Sequence, residues 1–114
     1  AGERLKDSMR SALGLLGLGL KAGRVSVGVD ATHAALQRGK AEAVVMPSDA
    51  GERAREKLVS LAWHKQVPVL TLADAERLGA ALGRPPVHGV AVLDRQLAKG
   101  LKNYLATDRE KVAG

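Results

Sequence analysis

Cysteine and phenylalanine are absent from this 114-residue sequence, and Trp63 and Tyr104 are its only aromatic residues. Without cysteine the chain forms neither disulfide bonds nor thiolate metal sites, which is typical of the reducing cytoplasm, and we expect a cytoplasmic location. A sheet face that stacks nucleic-acid bases needs several exposed rings. The scarcity of aromatic residues therefore argues against that mode of binding.

Long apolar runs are missing as well. The most apolar stretch, residues 12–20, is interrupted by three glycines and is shorter than the roughly 20 residues that cross a membrane, so we expect no membrane association. The hydrophobic content of 46% suits one compact domain. We expect a single, monomeric domain over residues 1–114, with a folded core at about 10–105 and a frayed polar tail at 107–114.

Positive charge predominates in the sequence. Lysine and arginine number 18 against 12 aspartate and glutamate residues, which gives a net charge of +6 and a pI near 10.1. Such a balance favours nucleic acid or an acidic surface as the partner. The alternative is a soluble domain that is merely basic.

Apolar periodicity predicts helices that alternate with strands. Positions 9, 12, 13, 16 and 20 have helical spacing within residues 4–22, and short strand-like runs occupy 25–27, 42–46, 67–72 and 87–93. Further helices are predicted between these strands and after the last one. Because the alternation places helices on both faces of one sheet, it predicts an α/β fold, a three-layer α/β/α sandwich.

Five polar residues have the positions of helix caps. Ser8 is a candidate N-cap of the first helix, and Asp49 with Glu52 has the spacing of a capping box. Asp74 and Asp94 directly precede the last two predicted helices and are expected to cap them.

Two features of the helices are interpreted as signs of packing. Glycines 14, 17 and 19 each cost the first helix roughly 1 kcal/mol relative to alanine, which suggests that another element approaches it closely. Trp63 lies late in the third helix and is interpreted as a packing residue rather than a base-stacking one.

The segment of residues 21–40 is the candidate working surface. Gly28 turns a short strand into a helix, whose N-terminus presents unpaired N–H groups and the positive end of the helix dipole. Basic residues surround this turn in the sequence, so an anionic partner such as a phosphate backbone is expected. The four basic residues are Lys21, Arg24, Arg38 and Lys40.

Catalytic and cofactor motifs are not found. His33, His64 and His88 have no metal-ligand spacing, and no serine lies on a nucleophile elbow. Residues 17–22 match a dinucleotide fingerprint, G-x-G-x-x-A, but a helix precedes them and a strand follows, which is the reverse of what that motif needs. The sequence therefore predicts no enzyme, cofactor or metal.

An ordered set of segments resembles a known family. These segments are LGLLGLGLKAGRVSVGVDATHAALQRGKAEAVVM, PSDAGERAREKL, AWHKQVPVLTL and ERLGAALGRPPVHGVAVLD. Together they look like the kink-turn RNA-binding ribosomal proteins of the L-seven-Ae/L-thirty-e group, and within it the small bacterial YlxQ-like members. The resemblance covers about residues 10–105.

The resemblance implies a mixed four-stranded sheet between helices, no catalysis, and binding of sharply bent, structured RNA, with the ribosome or another protein as further partners. Two surfaces are implied, namely the start of the second helix and the loop before the last strand, where Pro86 and Val87 would cover an extruded base. The RNA-binding residues expected on this basis are Lys21, Arg24, Ser26, Gly28, Val29, Asp30, His33, Arg38, Lys40, Arg84, Pro86 and Val87.

Three positions depart from the strong binders of this group. Asp30, Ala31 and Ala34 stand where those proteins have Asn, Glu and Lys. Asp30 is expected to repel nearby phosphates, and its replacement by Asn together with Ala34→Lys to tighten binding. The alternative is that Asp30 accepts a hydrogen bond from a base amine, in which case Asp30→Asn alone weakens binding. These departures motivate the alternative that the chain is a protein-interaction module on the same fold whose RNA motif has decayed.

Overall fold

The computed structural model describes residues 2–113, with the side chains of residues 7–105. Helices and strands alternate along this part of the chain, as the apolar pattern predicted. The elements are α1 (Gly2–Lys21), β1 (Val25–Val27), α2 (Val29–Gln37), β2 (Ala43–Met46), α3 (Glu52–His64), β3 (Val69–Thr71), α4 (Ala75–Ala81), β4 (Val90–Val92) and α5 (Arg95–Ala113).

The four strands form one mixed sheet in the order β1-β4-β2-β3. β4 lies antiparallel to both of its neighbours, so that Val90 is opposite Val27 on one side and Val45 on the other. β2 and β3 run parallel, as expected for strands joined by a crossover helix. The mixed sheet that the resemblance implied is confirmed.

Alternate strand residues supply two cores, one on each face of the sheet. Val45 and Val90 pack with α1, α4 and α5, whereas Val44 and Ala91 pack with α2 and α3. Successive strand side chains point to opposite faces, and β2 is buried along its whole length, so both faces must be covered by helices. The predicted three-layer α/β/α arrangement is the one observed.

The glycines of α1 allow close packing at two of the three positions. A Cβ on Gly17 would lie 3.0 Å from the Ala81 carbonyl oxygen of α4, and a Cβ on Gly19 would overlap Leu97 of α5. Gly14 has nothing within 4 Å of the corresponding point. The prediction of close approach is therefore confirmed for Gly17 and Gly19 and wrong for Gly14.

Two of the predicted helix caps are present. Asp74 accepts a hydrogen bond from the Arg77 backbone N–H at 2.8 Å, and Asp94 accepts one from the Leu97 N–H at 2.9 Å. The N-cap role of Ser8 is wrong, because α1 begins six residues earlier and Ser8 lies inside it.

The predicted capping box is wrong as well. α3 has Gly51 as its N-cap, with no side-chain cap, and Asp49 instead accepts a hydrogen bond from the Ala75 N–H at 2.7 Å. Asp49 therefore connects the loop before α3 to the start of α4.

Both aromatic residues are exposed. The Trp63 residue is 81% exposed, so its interpretation as a packing residue is wrong. Tyr104, in α5, is 39% exposed. The frayed tail at 107–114 stays a prediction, since its side chains lie outside the described ones.

Candidate nucleic-acid interface

Gly28 forms the turn between β1 and α2 in a conformation that favours glycine, with φ 110° and ψ 154°. Its N–H donates to the Gly89 carbonyl oxygen at 2.8 Å. Its own carbonyl accepts two hydrogen bonds from Thr32, one from the backbone N–H at 2.9 Å and one from Oγ1 at 2.7 Å. Thr32 is fully buried, so its two hydrogen bonds hold the Gly28 turn from the core side. Sequence reasoning did not identify this role of Thr32.

A pocket of about 620 Å³ opens at this turn. It is formed where three segments meet: the end of β1 with the first turn of α2, the first turn of α3, and the loop between α4 and β4. Its lining residues are Val27, Gly28, Val29, Asp30, Ala31, Gly51, Arg53, Ala54 and His88. The hydrogen bond between Gly28 and Gly89 therefore brings together the two surfaces that the resemblance implied.

Two helices begin at the pocket, and a glycine is the N-cap of each. Gly28 precedes α2 and Gly51 precedes α3, and neither helix has a side-chain cap. Such helix starts keep backbone N–H groups available to an anion or a hydrogen-bond acceptor. A Cβ on Gly28 would meet nothing within 4 Å, so this side of the turn is open.

His88 connects the loop before β4 to the start of α3. Its Nδ1 accepts a hydrogen bond from the Gly51 N–H at 3.2 Å. This bond places the proton of the neutral imidazole on Nε2, which can then donate. No motif in the sequence indicated this contact, because the two residues are 37 positions apart.

Asp30 carries the negative charge of the pocket, and α3 supplies the nearest cations. Lys57 Nζ donates to Asp30 Oδ1 at 2.7 Å. This hydrogen bond lowers the pKa of Asp30 below its ordinary value, and the charges of Lys57, Arg53 and His33 act in the same direction. Asp30 is therefore ionised at neutral pH. Sequence reasoning did not assign Lys57 and Arg53 to the site, because only the packing of α3 against α2 brings them near it.

β1 and α2 meet at Gly28, and the basic residues predicted around this glycine lie at the far ends of these two elements. Gly28 bonds to Gly89, which precedes β4, whereas the Arg24 carbonyl accepts from the Leu93 N–H, which follows β4. The three residues of β1 separate Arg24 from Gly28, and the four steps along this extended chain span roughly 13 Å. Arg24 Nη1 also lies 3.7 Å from Asp94.

The C-terminal end of α2 lies at the same end of the sheet as Arg24, remote from the pocket. The Glu42 N–H, which follows α2, donates to the Val92 carbonyl oxygen at 2.7 Å, at the end of β4 opposite Gly89. The expectation that Lys21, Arg24, Arg38 and Lys40 flank the start of α2 is therefore wrong, because β1 leads toward the pocket and α2 leads away from it. An RNA contact by these four residues stays a prediction.

The loop before β4 requires a correction at Val87. Arg84 and Pro86 are exposed, but Val87 is only 5% exposed and belongs to the core beneath α4. Its N–H donates to the Ala75 carbonyl oxygen at 3.0 Å, and β4 begins only at Val90. The interpretation of Val87 as an exposed cover for a base is therefore wrong.

The remaining predicted residues occupy different positions around the pocket. Val29 lines it, and His33 lies one helical turn beyond Asp30. Ser26 is opposite Ala91 in the sheet, on the face that α2 and α3 cover. Their contact with RNA stays a prediction.

Two negative findings concern the described residues alone. Within residues 2–113 no helix combines the length and apolar character of a membrane span. Among the side chains of residues 7–105, no three histidine, aspartate or glutamate residues are grouped so as to hold a metal ion.

The family model of the ribosomal protein L7Ae/L30e/S12e/Gadd45 family matches residues 10–102. This chain belongs to that family. It is 28% identical over 101 residues to a protein of Enterococcus faecium named RNA-binding protein YlxQ, and the match covers 88% of this chain and 96% of that protein. The expected membership, close to the YlxQ-like proteins, is confirmed.

Solved structures show the same fold. A protein of unknown function from Bacillus halodurans C superposes with a TM-score of 0.78 at 28% identity, covering 83% of this chain and 96% of its own. The Giardia lamblia 15.5kD RNA binding protein superposes with a TM-score of 0.70 at 22% identity, covering 94% of this chain and 89% of its own. The second likeness extends to the fold alone.

Proposed function

We propose that this chain is a non-catalytic RNA-binding protein that recognises structured, kink-turn-like RNA as a cytoplasmic monomer, in association with the ribosome or translation. The pocket at the start of α2, in a chain of this family, carries the proposal. RNA binding by a protein similar over most of the chain, the YlxQ protein of Enterococcus faecium, supports it.

The pocket has groups for each part of a nucleotide. The first N–H groups of α2 suit a phosphate, because no side-chain cap occupies them. Asp30 can accept a hydrogen bond from a base amine. The volume of about 620 Å³ is ample for one unstacked base, which is the form in which proteins read RNA sequence.

A binding experiment with two RNAs tests the proposal. A labelled kink-turn RNA and a straight duplex of the same composition are titrated with the protein, and we expect the kink-turn to bind at least about tenfold more tightly, which is roughly 1.4 kcal/mol. Equal, weak binding to both would indicate attraction by charge alone.

Two charge-matched variants locate the interface. Ala31→Asp places a carboxylate in the first turn of α2, where the dipole favours it by roughly 0.3 to 1 kcal/mol, so the fold is preserved while a phosphate is repelled. Gln37→Glu changes the net charge equally at the far end of the same helix. We expect a loss of about tenfold for Ala31→Asp and little change for Gln37→Glu. The reverse result would move the interface to the end of α2 that carries Arg38.

A second candidate function, a protein-interaction module, is supported by the exposed face of α3. Trp63 is 81% exposed and Val59, one turn earlier, is 45% exposed. Neighbouring apolar side chains on a helix surface are common in protein interfaces, where tryptophan is enriched. If the protein binds neither RNA, protein interaction becomes the better supported function.

A further inference from the structure

We propose that Lys57 is a phosphate-binding residue of the RNA site and that Asp30 positions it, so that the two side chains act as one unit across α2 and α3. The inference rests on the proposed RNA-binding function and adds a residue and a role to it. Its basis is the geometry of the ion pair and the distribution of charge around the pocket.

The first observation is that α2 provides no lysine or arginine of its own. Residues 29–37 read VDATHAALQ, and the basic residues that follow lie at the end of the helix remote from the pocket. Fixed positive charge at the pocket therefore comes from α3, where Arg53 lines it and Lys57 reaches Asp30. A phosphate at the start of α2 would have these two cations nearby.

The second observation is how Lys57 is held. Its side chain is 32% exposed, whereas Asp30 is 84% exposed, so the lysine stem is largely covered by protein and its ammonium emerges at the carboxylate. Asp30 Oδ1 accepts one of the three N–H donors of this ammonium, at 2.7 Å. An exposed ion pair of this kind contributes little to stability, so positioning the ammonium is the larger effect of Asp30.

The ion pair with Lys57 reverses the effect on RNA affinity that a lone Asp30 carboxylate would have. A lone carboxylate at this position would repel a phosphate, and its replacement by Asn would tighten binding. If Asp30 holds Lys57 in place, Asp30→Asn releases a flexible lysine, and the entropy of reordering it opposes binding. Loss of the negative charge then weakens binding to RNA.

The test measures the affinity for the labelled kink-turn RNA as a function of salt, using Lys57→Gln, Asp30→Asn and the double variant. Lys57→Gln should lower the salt slope by about 0.7 to 0.9 and the affinity by about fivefold at 0.15 M salt, since one phosphate contact is lost. Asp30→Asn should weaken binding about twofold or more, and the double variant should bind no worse than Lys57→Gln alone, because coupled side chains are not additive.

Three controls make the result specific. Lys65→Gln removes an equal charge at the exposed C-cap of α3, remote from the pocket, and should leave the slope nearly unchanged. Lys57→Arg should retain most of the affinity, because it keeps the charge. Urea unfolding of each variant confirms that the fold is intact.

An unchanged slope for Lys57→Gln, or tighter binding by Asp30→Asn, would overturn the inference while leaving the proposed function in place, provided that Ala31→Asp still weakens binding about tenfold. If the unaltered protein does not bind the RNA, both proposals are wrong.

Discussion

Replacement of Val87 by aspartate is a direct test of the loop before β4. The side chain is 5% exposed and packs in the core with Leu78 and Val90. Val87→Asp removes the burial of a valine, worth about 1.5 to 3 kcal/mol, and places a carboxylate in the core at a further cost of several kcal/mol. The sum approaches the 5 to 15 kcal/mol that stabilises a typical domain, so we expect this variant to be unfolded or nearly so.

Val87→Ala gives a measurable intermediate. Two methyl groups are lost, each worth about 0.8 kcal/mol in transfer free energy, and the cavity adds to this, so we expect a loss of about 2 kcal/mol. In urea, with a slope of about 1 to 2 kcal/mol per molar, the midpoint should fall by roughly 1 to 2 M. Pro86→Ala, one residue earlier and exposed, is the control and should leave the midpoint nearly unchanged.

RNA affinity measured on the same variants separates packing from contact. Val87→Ala should bind with nearly unaltered affinity at a temperature where it is fully folded, because its side chain lies beneath the loop and not on its surface. If Val87→Asp instead stays folded with an unchanged midpoint and loses RNA binding, then Val87 is a surface contact and the packing described for this loop is wrong.

Three further predictions concern glycine packing, the ion pair and the exposed tryptophan. Gly79→Ala should destabilise the fold by about 1 to 2 kcal/mol in urea unfolding, because the new Cβ would overlap the backbone of the following loop. Gly14→Ala has open space around the new Cβ and should stabilise the fold by about 0.5 to 1 kcal/mol. Equal effects of the two substitutions would contradict this packing. The pKa of Asp30, measured by NMR, should lie below its ordinary value and rise in Lys57→Ala. Since folding lowers this pKa, the pair stabilises the fold at neutral pH, and this contribution is lost only below about pH 4. Trp63→Ala should change the free energy of unfolding by less than about 0.5 kcal/mol, and a larger loss would show that the residue packs.

The order and type of the elements were predictable because each carries its own apolar period. β2 is buried on both faces and reads as a continuous apolar run, and Asp74 and Asp94 cap the helices that follow them. The cap predicted at Ser8 failed because α1 begins at Gly2, before the apolar spacing starts, and the cap predicted at Asp49 failed for a different reason. Sequence spacing indicates only partners that are near along the chain, whereas Asp49 accepts a hydrogen bond from the Ala75 N–H, 26 positions away.

The candidate site was only partly predictable. Gly28 and Asp30 lie together because they are near each other in sequence, and the structure keeps them in one pocket. Lys57 and His88 join them through contacts between separate elements, which no local pattern indicates. The basic residues predicted around Gly28 were misplaced because a strand and the helix after it run in opposite directions, so residues near the turn in sequence lie far from it in space.

The order of strands in the sheet has a consequence for how the chain folds during synthesis. β4 is the last strand to be synthesised, yet it lies between β1 and β2. Val27 can therefore pair with Val90 only after 63 further residues have been added. Of the three strand pairings in the described sheet, only that of β2 with β3 can form before β4 has emerged. Until then β1 has no strand to pair with, and its exposed apolar residues make the nascent chain prone to aggregation during this interval. The pocket at Gly28, which depends on the bond to Gly89, is therefore among the last features of the molecule to form.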